Sequence, residues 1–150
     1  MLITFQKLAI VKEERKRYSL VPFIQSPSDA AQSFQIIFEL EKAAEEIFCA
    51  LFLNTKNKII GATEVSHGTL NASLVHPREL FKKALFHNAA AVIIGHNHPS
   101  GNPQPSHEDI LIFKKLKAAG EMLDIQILDQ IIIGENGDFY SFSEHQSNIM

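Results

Sequence analysis

Ala89-Ala90-Ala91-Val92-Ile93-Ile94-Gly95-His96-Asn97-His98-Pro99-Ser100-Gly101-Asn102-Pro103-Gln104-Pro105-Ser106-His107-Glu108-Asp109 decides the architecture. Its opening, Ala89 to Gly95, is small and then branched and apolar with no polar break, the pattern of a strand buried on both faces. Three prolines and a glycine follow between Pro99 and Pro105. They continue neither a strand nor a helix. Ser106-x-x-Asp109 then opens an amphipathic helix carrying Ile110, Ile112, Phe113, Leu116 and Ala119, with Gly120 expected to stop it. Strand, loop and helix in that order announce an α/β protein.

The same stretch concentrates metal-ligating chemistry. If the strand continues through His98, then His96 and His98, at i and i+2, project to one face. A loop that folds back brings Asp109 to them, and a His/His/Asp set leaves a catalytic zinc one open position. Plainer roles exist beside this one. A His-x-His pair alone is a weak motif, and Asp109, three residues after a serine cap, completes a capping box on the favourable side of the helix dipole. The roles are compatible, because a carboxylate in the first helical turn can point back toward the loop.

Outward from the loop, Leu2 to Lys12 alternates well enough to be a strand, and Glu13 to Tyr18 is a charged, solvated turn. Ser26-Pro27-Ser28-Asp29 is a helix start with Ser26 as cap. Its stripe runs through Ala30, Phe34, Ile37 and Glu41, with Ile36 and Leu40 beside it, to an end near Lys42 to Ala44. Glu46 to Asn54 is nearly all apolar and reads as a central strand; the turn Asn54-Thr55-Lys56-Asn57 leads to a partner strand, Lys58 to Val65, closed by Ser66-His67-Gly68. Thr69 to Val75 has no clear assignment. His76-Pro77 starts a helix capped by His76, with Leu80, Phe81, Ala84 and Leu85 facing the core. Leu123 to Gly134 and Asp138 to Phe142 are strands around Glu135-Asn136-Gly137. Hairpins beside a strand-loop-helix unit give a helix-sheet-helix sandwich with a mixed sheet.

Composition bounds the function. A chain of 150 residues with 45% hydrophobic content supports one domain with a core. The net charge of −3 and the scatter of lysines and arginines outside Lys12 to Arg17 provide no basic face, which argues against DNA as the main ligand. Cys49 is the one cysteine, so no internal disulfide or Cys-rich zinc knuckle is available, and its apolar neighbours mark it as a buried, inert thiol. No run approaches the length of a membrane helix, and the N-terminus turns charged too early for a signal peptide, so the expected location is the cytoplasm.

His-x-His, seven intervening residues and Ser-x-x-Asp match, at every named position, the JAMM motif of zinc metallohydrolases with the JAB1/MPN fold. Glu46-Ile47-Phe48, Leu53-Asn54-Thr55-Lys56-Asn57, Val65-Ser66-His67-Gly68-Thr69-Leu70-Asn71-Ala72-Ser73, His76-Pro77-Arg78-Glu79 and His96-Asn97-His98-Pro99-Ser100-Gly101 resemble the RadC branch of that superfamily. The resemblance covers roughly Ser26 to Glu144 and implies a curled, mixed sheet with cytidine-deaminase-like layering. The chain then divides into an N-terminal strand and turn packed on the domain (1–25), a RadC-like JAB domain (26–144) and a tail (145–150). The resemblance also implies that His96, His98 and Asp109 hold one zinc ion with a bound water, that Glu46 is the base, and that Ser106 hydrogen-bonds the developing oxyanion. Glu45 is the rival base on residues alone; Glu46 occupies the family position.

The function so implied is zinc-dependent hydrolysis of a peptide or isopeptide amide bond, with a peptide or protein substrate. The alternatives are a JAB-fold binding module and a DNA-repair-associated protein with little or no hydrolytic activity. Direct nucleic-acid binding is not expected, given the charge and the small room ahead of Ser26 for the helix-hairpin-helix segment of many RadC-type proteins. The zinc deaminases need His-x-Glu with Pro-Cys-x-x-Cys, which one cysteine cannot supply. The sequence leaves the oligomeric state open.

Overall fold

Burial on two faces at once explains the unbroken apolar runs. In the computed structural model, which describes residues 1–7, 9, 16–68 and 75–148, the described elements follow the chain as α1 (Pro27–Phe38), β1 (Ile47–Leu53), β2 (Ile59–His67), α2 (Pro77–Phe86), β3 (Ala91–Asn97), α3 (His107–Met122), β4 (Gln126–Ile133) and β5 (Phe139–Ser141), with short 3-10 segments at Leu40–Lys42 and Ser143–Asn148. The strands form one open sheet in the order β2-β1-β3-β4-β5. The β3–β4 pair is parallel and the other pairs are antiparallel, so the sheet is mixed.

Every residue of β1 and β3 is buried. On one face Phe48, Ala50, Phe52, Val92, Ile94 and Ile132 pack with Leu80, Phe81 and Ala84 of α2 and with Ile112, Phe113 and Leu116 of α3. On the other, Cys49, Leu51, Leu53, Ile93, Ile131 and Ile133 meet Ala30, Ala31 and Phe34 of α1 and Leu40. Each large side chain so buried contributes about 1.5–3 kcal/mol relative to leaving it in water. The result is the expected helix-sheet-helix arrangement. Among the described residues no helix is long and apolar enough to cross a membrane.

Local chemistry sets the element ends. Ser26 caps α1 with a complete capping box. The helix stops at Phe38, short of the expected Lys42 to Ala44, because Glu39 turns left-handed (φ 50°) and the chain continues as a 3-10 turn that buries Leu40. Glu41 is exposed and does not extend the stripe. Leu85, expected in the core, is also exposed, since α2 buries only Leu80, Phe81 and Ala84. His76 stands at the N-cap of α2 without a side-chain cap bond, and Pro77 at the first position makes the helix start. α3 runs through Gly120 rather than stopping there: a Cβ at Gly120 would overlap the Ile125 carbonyl, so the residue is small for packing.

Residues 1–7 are no strand; Leu2, Ile3 and Phe5 are exposed. Apolar alternation becomes a strand only where a neighbour completes the ladder, and here the N-terminal region meets the sheet later. Phe23 bridges Lys58, Ile59 N donates to the Pro22 carbonyl at 2.8 Å and Ile24 N to that of Asn57 at 2.9 Å. The rest of the expected strand and charged turn, residues 8 and 10–15, and residues 69–74 of the unassigned stretch lie outside the described residues.

Candidate metal centre

Three elements deliver four side chains to one point at the end of the sheet. Glu46 stands one residue ahead of β1, His96 lies near the end of β3, His98 follows that strand directly, and Asp109 sits in the first turn of α3. Phe48 pairs with His96 across the β1–β3 ladder, which brings Glu46 to the histidine strand although about 50 residues separate them, counted 96 − 46. One ligand atom from each of the four lies within 4.8 Å of the others.

His96 Nε2 is 3.3 Å from His98 Nε2 and 3.2 Å from Asp109 Oδ1; His98 Nε2 is 3.0 Å from Asp109 Oδ2. Glu46 Oε1 stands further off, 3.8 Å from His96 Nε2. Bonds of about 2.0–2.1 Å in a tetrahedron put neighbouring donors about 3.3–3.4 Å apart; the two histidine nitrogens stand at that separation, and each faces a different oxygen of Asp109 at slightly shorter range. His96 and Asp109 are buried, while Glu46 and His98 reach solvent.

Surrounding contacts orient these donors. His98 Nδ1 lies 2.8 Å from the Asn102 carbonyl. A carbonyl only accepts, so Nδ1 carries a proton there; in the metal-free cluster Nε2 also carries one where it donates to Asp109 Oδ2, and loss of that proton bares the lone pair that a cation would take. Asp109 Oδ2 accepts the Ser106 N–H at 2.9 Å, and Ser106 Oγ accepts the Asp109 N–H at 3.1 Å. The capping box thus aims the carboxylate while its Oδ1 faces His96. His96 stacks against Phe48, ring centroids 5.6 Å apart, and its Nδ1 is buried without a partner among the described residues. Convergent lone pairs and two carboxylates suit a cation, and these four residues could hold one.

Electrostatics point the same way. Burial raises Glu46 above the ordinary glutamate value, with the Asp109 charge adding to this and the two histidines opposing it. Burial pushes Asp109 upward too, but hydrogen bonds from His96, His98 and the Ser106 amide prevail and hold it far below the usual carboxylate range. For His98, burial works downward, yet the bonds to Asp109 and Asn102 and the charges of Asp109 and Glu46 leave it raised. Protons drawn into the metal-free cluster in this way are those a cation displaces.

Of the two glutamates, Glu46 converges on the histidines, whereas Glu45 turns outward to His67 Nε2 at 3.2 Å. His67 also meets Glu64 at 3.5 Å, so it belongs to a surface network. His107 is exposed at the start of α3. Ser106 Oγ spends a lone pair on the Asp109 amide, which leaves its hydroxyl proton available to another acceptor. Ser100 Oγ accepts the Asn102 N–H at 3.4 Å, within the loop itself. The roles of Asn102 and Phe48 had no sequence signal, since one acts through a backbone carbonyl and the other through ring packing.

A family model described as the RadC-like JAB domain matches residues 24–147. A UPF0758 protein of Clostridium botulinum (strain Eklund 17B / Type B) is 51% identical over 121 residues, which is 81% of this chain and 52% of that protein. Another, from Shouchella clausii (strain KSM-K16), is 47% identical over 131 residues, 87% of this chain and 56% of the relative. A third, from Pasteurella multocida (strain Pm70), is 47% identical over 113 residues, 75% and 50% respectively. The chain spans about half the length of these curated relatives.

Proposed function

The chain belongs to the RadC-like JAB domain family, and from that premise we propose that it is a zinc-dependent hydrolase of an amide bond in a peptide or protein. The observation that carries the reading is the convergence of His96, His98 and Asp109 at the spacing of zinc ligands, with Glu46 beside them. Two imidazoles and a carboxylate suit zinc in a catalytic site, where three protein ligands leave a position open.

Zinc, when bound, supplies Lewis acidity that makes water nucleophilic near neutral pH and polarises a carbonyl. The protein's residues divide the remaining work. His98, fixed by the Asn102 carbonyl, and Asp109, fixed by the capping box, hold their donor atoms in place. Glu46 stands off the ligand triangle, and its proton affinity is raised by burial. It is therefore suited to take a proton from water and pass it to the departing amine nitrogen. The Ser106 hydroxyl, with its proton free, donates to the carbonyl oxygen as negative charge develops there.

The test is cleavage of a peptide library by the zinc-loaded protein. Glu46→Ala is expected to abolish cleavage while zinc stays bound. Cleavage that survives Glu46→Ala removes Glu46 as the base, and no cleavage of any peptide by the loaded protein removes the hydrolase reading.

A further inference from the structure

The residue between the two histidines uses the opposite face of the same strand. Asn97 is 2% exposed and, by the two-residue alternation of β3, points away from His96 and His98 toward the α1 side. Its Oδ1 accepts the Ile47 N–H at 2.8 Å, and its Nδ2 donates to the Glu45 carbonyl at 2.9 Å, with a longer contact to the Ala43 carbonyl at 3.4 Å. One side-chain amide thus grips the backbone immediately before and immediately after Glu46. Gly68 N–H donates to the Glu46 carbonyl at 3.1 Å.

Glu46 lies outside the regular ladder, just ahead of β1 and after a bend. Without the clamp, the peptide units on either side of it would lose these buried partners. An asparagine amide offers one acceptor and two donors in a plane, which is what an N–H and a C=O flanking a single residue require. Aspartate lacks the donors, and alanine lacks both functions.

We propose that Asn97 is a positioning residue that holds Glu46 at its distance from the metal-binding histidines. This rests on the reading of Glu46 as the base. The strand from Ala91 to Asn97 therefore serves the centre twice, once by presenting His96 and once by fixing the backbone of the glutamate that works beside it. Misplacement of a catalytic group by about 1 Å costs about 10²-fold in rate, and a loss of that size in kcat with an unchanged KM is the expected consequence of removing the amide.

The experiment compares the zinc-loaded full chain with Asn97→Ala and Asn97→Asp. Crystal structures of the loaded single variants are expected to show zinc retained and the Glu46 carboxylate displaced, more in Asn97→Ala than in Asn97→Asp, which keeps the Ile47 acceptor. An unmoved Glu46 carboxylate in both variants overturns the proposal, whether or not any peptide is cleaved. Where wild type cleaves a library peptide, each Asn97 variant should lower kcat with KM unchanged and zinc retained. A wild-type kcat in both variants, or a loss of zinc that accounts for the lowered rate, also overturns the proposal. If Asn97→Ala does not fold, Asn97→Asp carries the same comparison. Failure of cleavage by wild type counts against the hydrolase reading alone, because the displacement of Glu46 is read from the structures.

Discussion

Gly95→Ala should destabilise the protein even though a glycine within a strand is intrinsically unfavourable. Gly95 faces α1, and a Cβ built there would stand 2.7 Å from Phe34 Cε2 and Cζ and 2.9 Å from Cδ2. Ordinary carbon contacts lie at about 3.5–4.0 Å, so the ring must retreat by about 0.8 Å. It has little room, being fully buried and stacked toward Phe38 at 6.2 Å between centroids. Overpacking of this kind costs about 1–3 kcal/mol, toward the upper part of that range here because the ring is fully buried, and replacing a strand glycine recovers about 0.5–1 kcal/mol, which leaves a net loss of about 1–2 kcal/mol. For a chain of this size that corresponds to a fall in Tm of about 2–8 °C. Thermal and urea denaturation of Gly95→Ala, Phe34→Leu and the double variant measures the coupling, expected at about 0.5 kcal/mol or more because the smaller leucine side chain leaves space for the new methyl. Zinc stoichiometry should stay at the wild-type level, since His96 projects to the opposite face. A Gly95→Ala protein as stable as wild type, or strictly additive losses, would refute this packing argument.

Gly120→Ala should also destabilise, by about 1 kcal/mol or more, despite a helix-propensity gain of about 1 kcal/mol, because the obstacle is the Ile125 backbone carbonyl and cannot rotate away; a thermal melt that rises contradicts this. Burial, with the Glu64 charge adding to it, pushes the Cys49 thiol far up, so a thiol reagent at pH 8 should leave the native protein unlabelled and label one thiol per chain in urea. In the metal-free protein Asp109 is lowered and His98 is raised. Stability from Asp109 is present above the ordinary carboxylate range and lost as pH falls toward its folded value, whereas stability from His98 is present below its ordinary value and lost as pH rises through its folded one. Urea midpoints across a pH series should therefore peak between those two limits, and Asp109→Asn should flatten the profile.

Much of the site was legible because its spacing is local. His96, His98, Ser106 and Asp109 lie within one strand-loop-helix unit, so period-two alternation and a capping box already placed them together. Glu46 was different: a charged residue at the edge of an apolar run could face water as easily as the cleft, and only the ladder between Phe48 and His96 carries it to the histidines. The strands β1 and β3 declared themselves through unbroken apolar runs because α1 covers one face of the sheet and α2 and α3 the other. The N-terminal expectation failed on the same logic, since residues 2–7 show alternation but find no neighbouring strand among the described residues. Leu85 was misjudged because helical spacing fixes a face only to within part of a turn, and Gly120 because the sequence does not show that the chain brings the Ile125 carbonyl back against that position.

The most direct test of the account is the metal content of the purified protein after reconstitution with zinc and removal of loosely bound ions. The account predicts about one zinc per chain in wild type and in Glu46→Ala, with loss of that zinc in His96→Ala, His98→Ala and Asp109→Ala that still fold. Wild-type protein that retains no zinc after reconstitution, or the three ligand variants retaining it as wild type does, would contradict the claim that these side chains form a zinc centre.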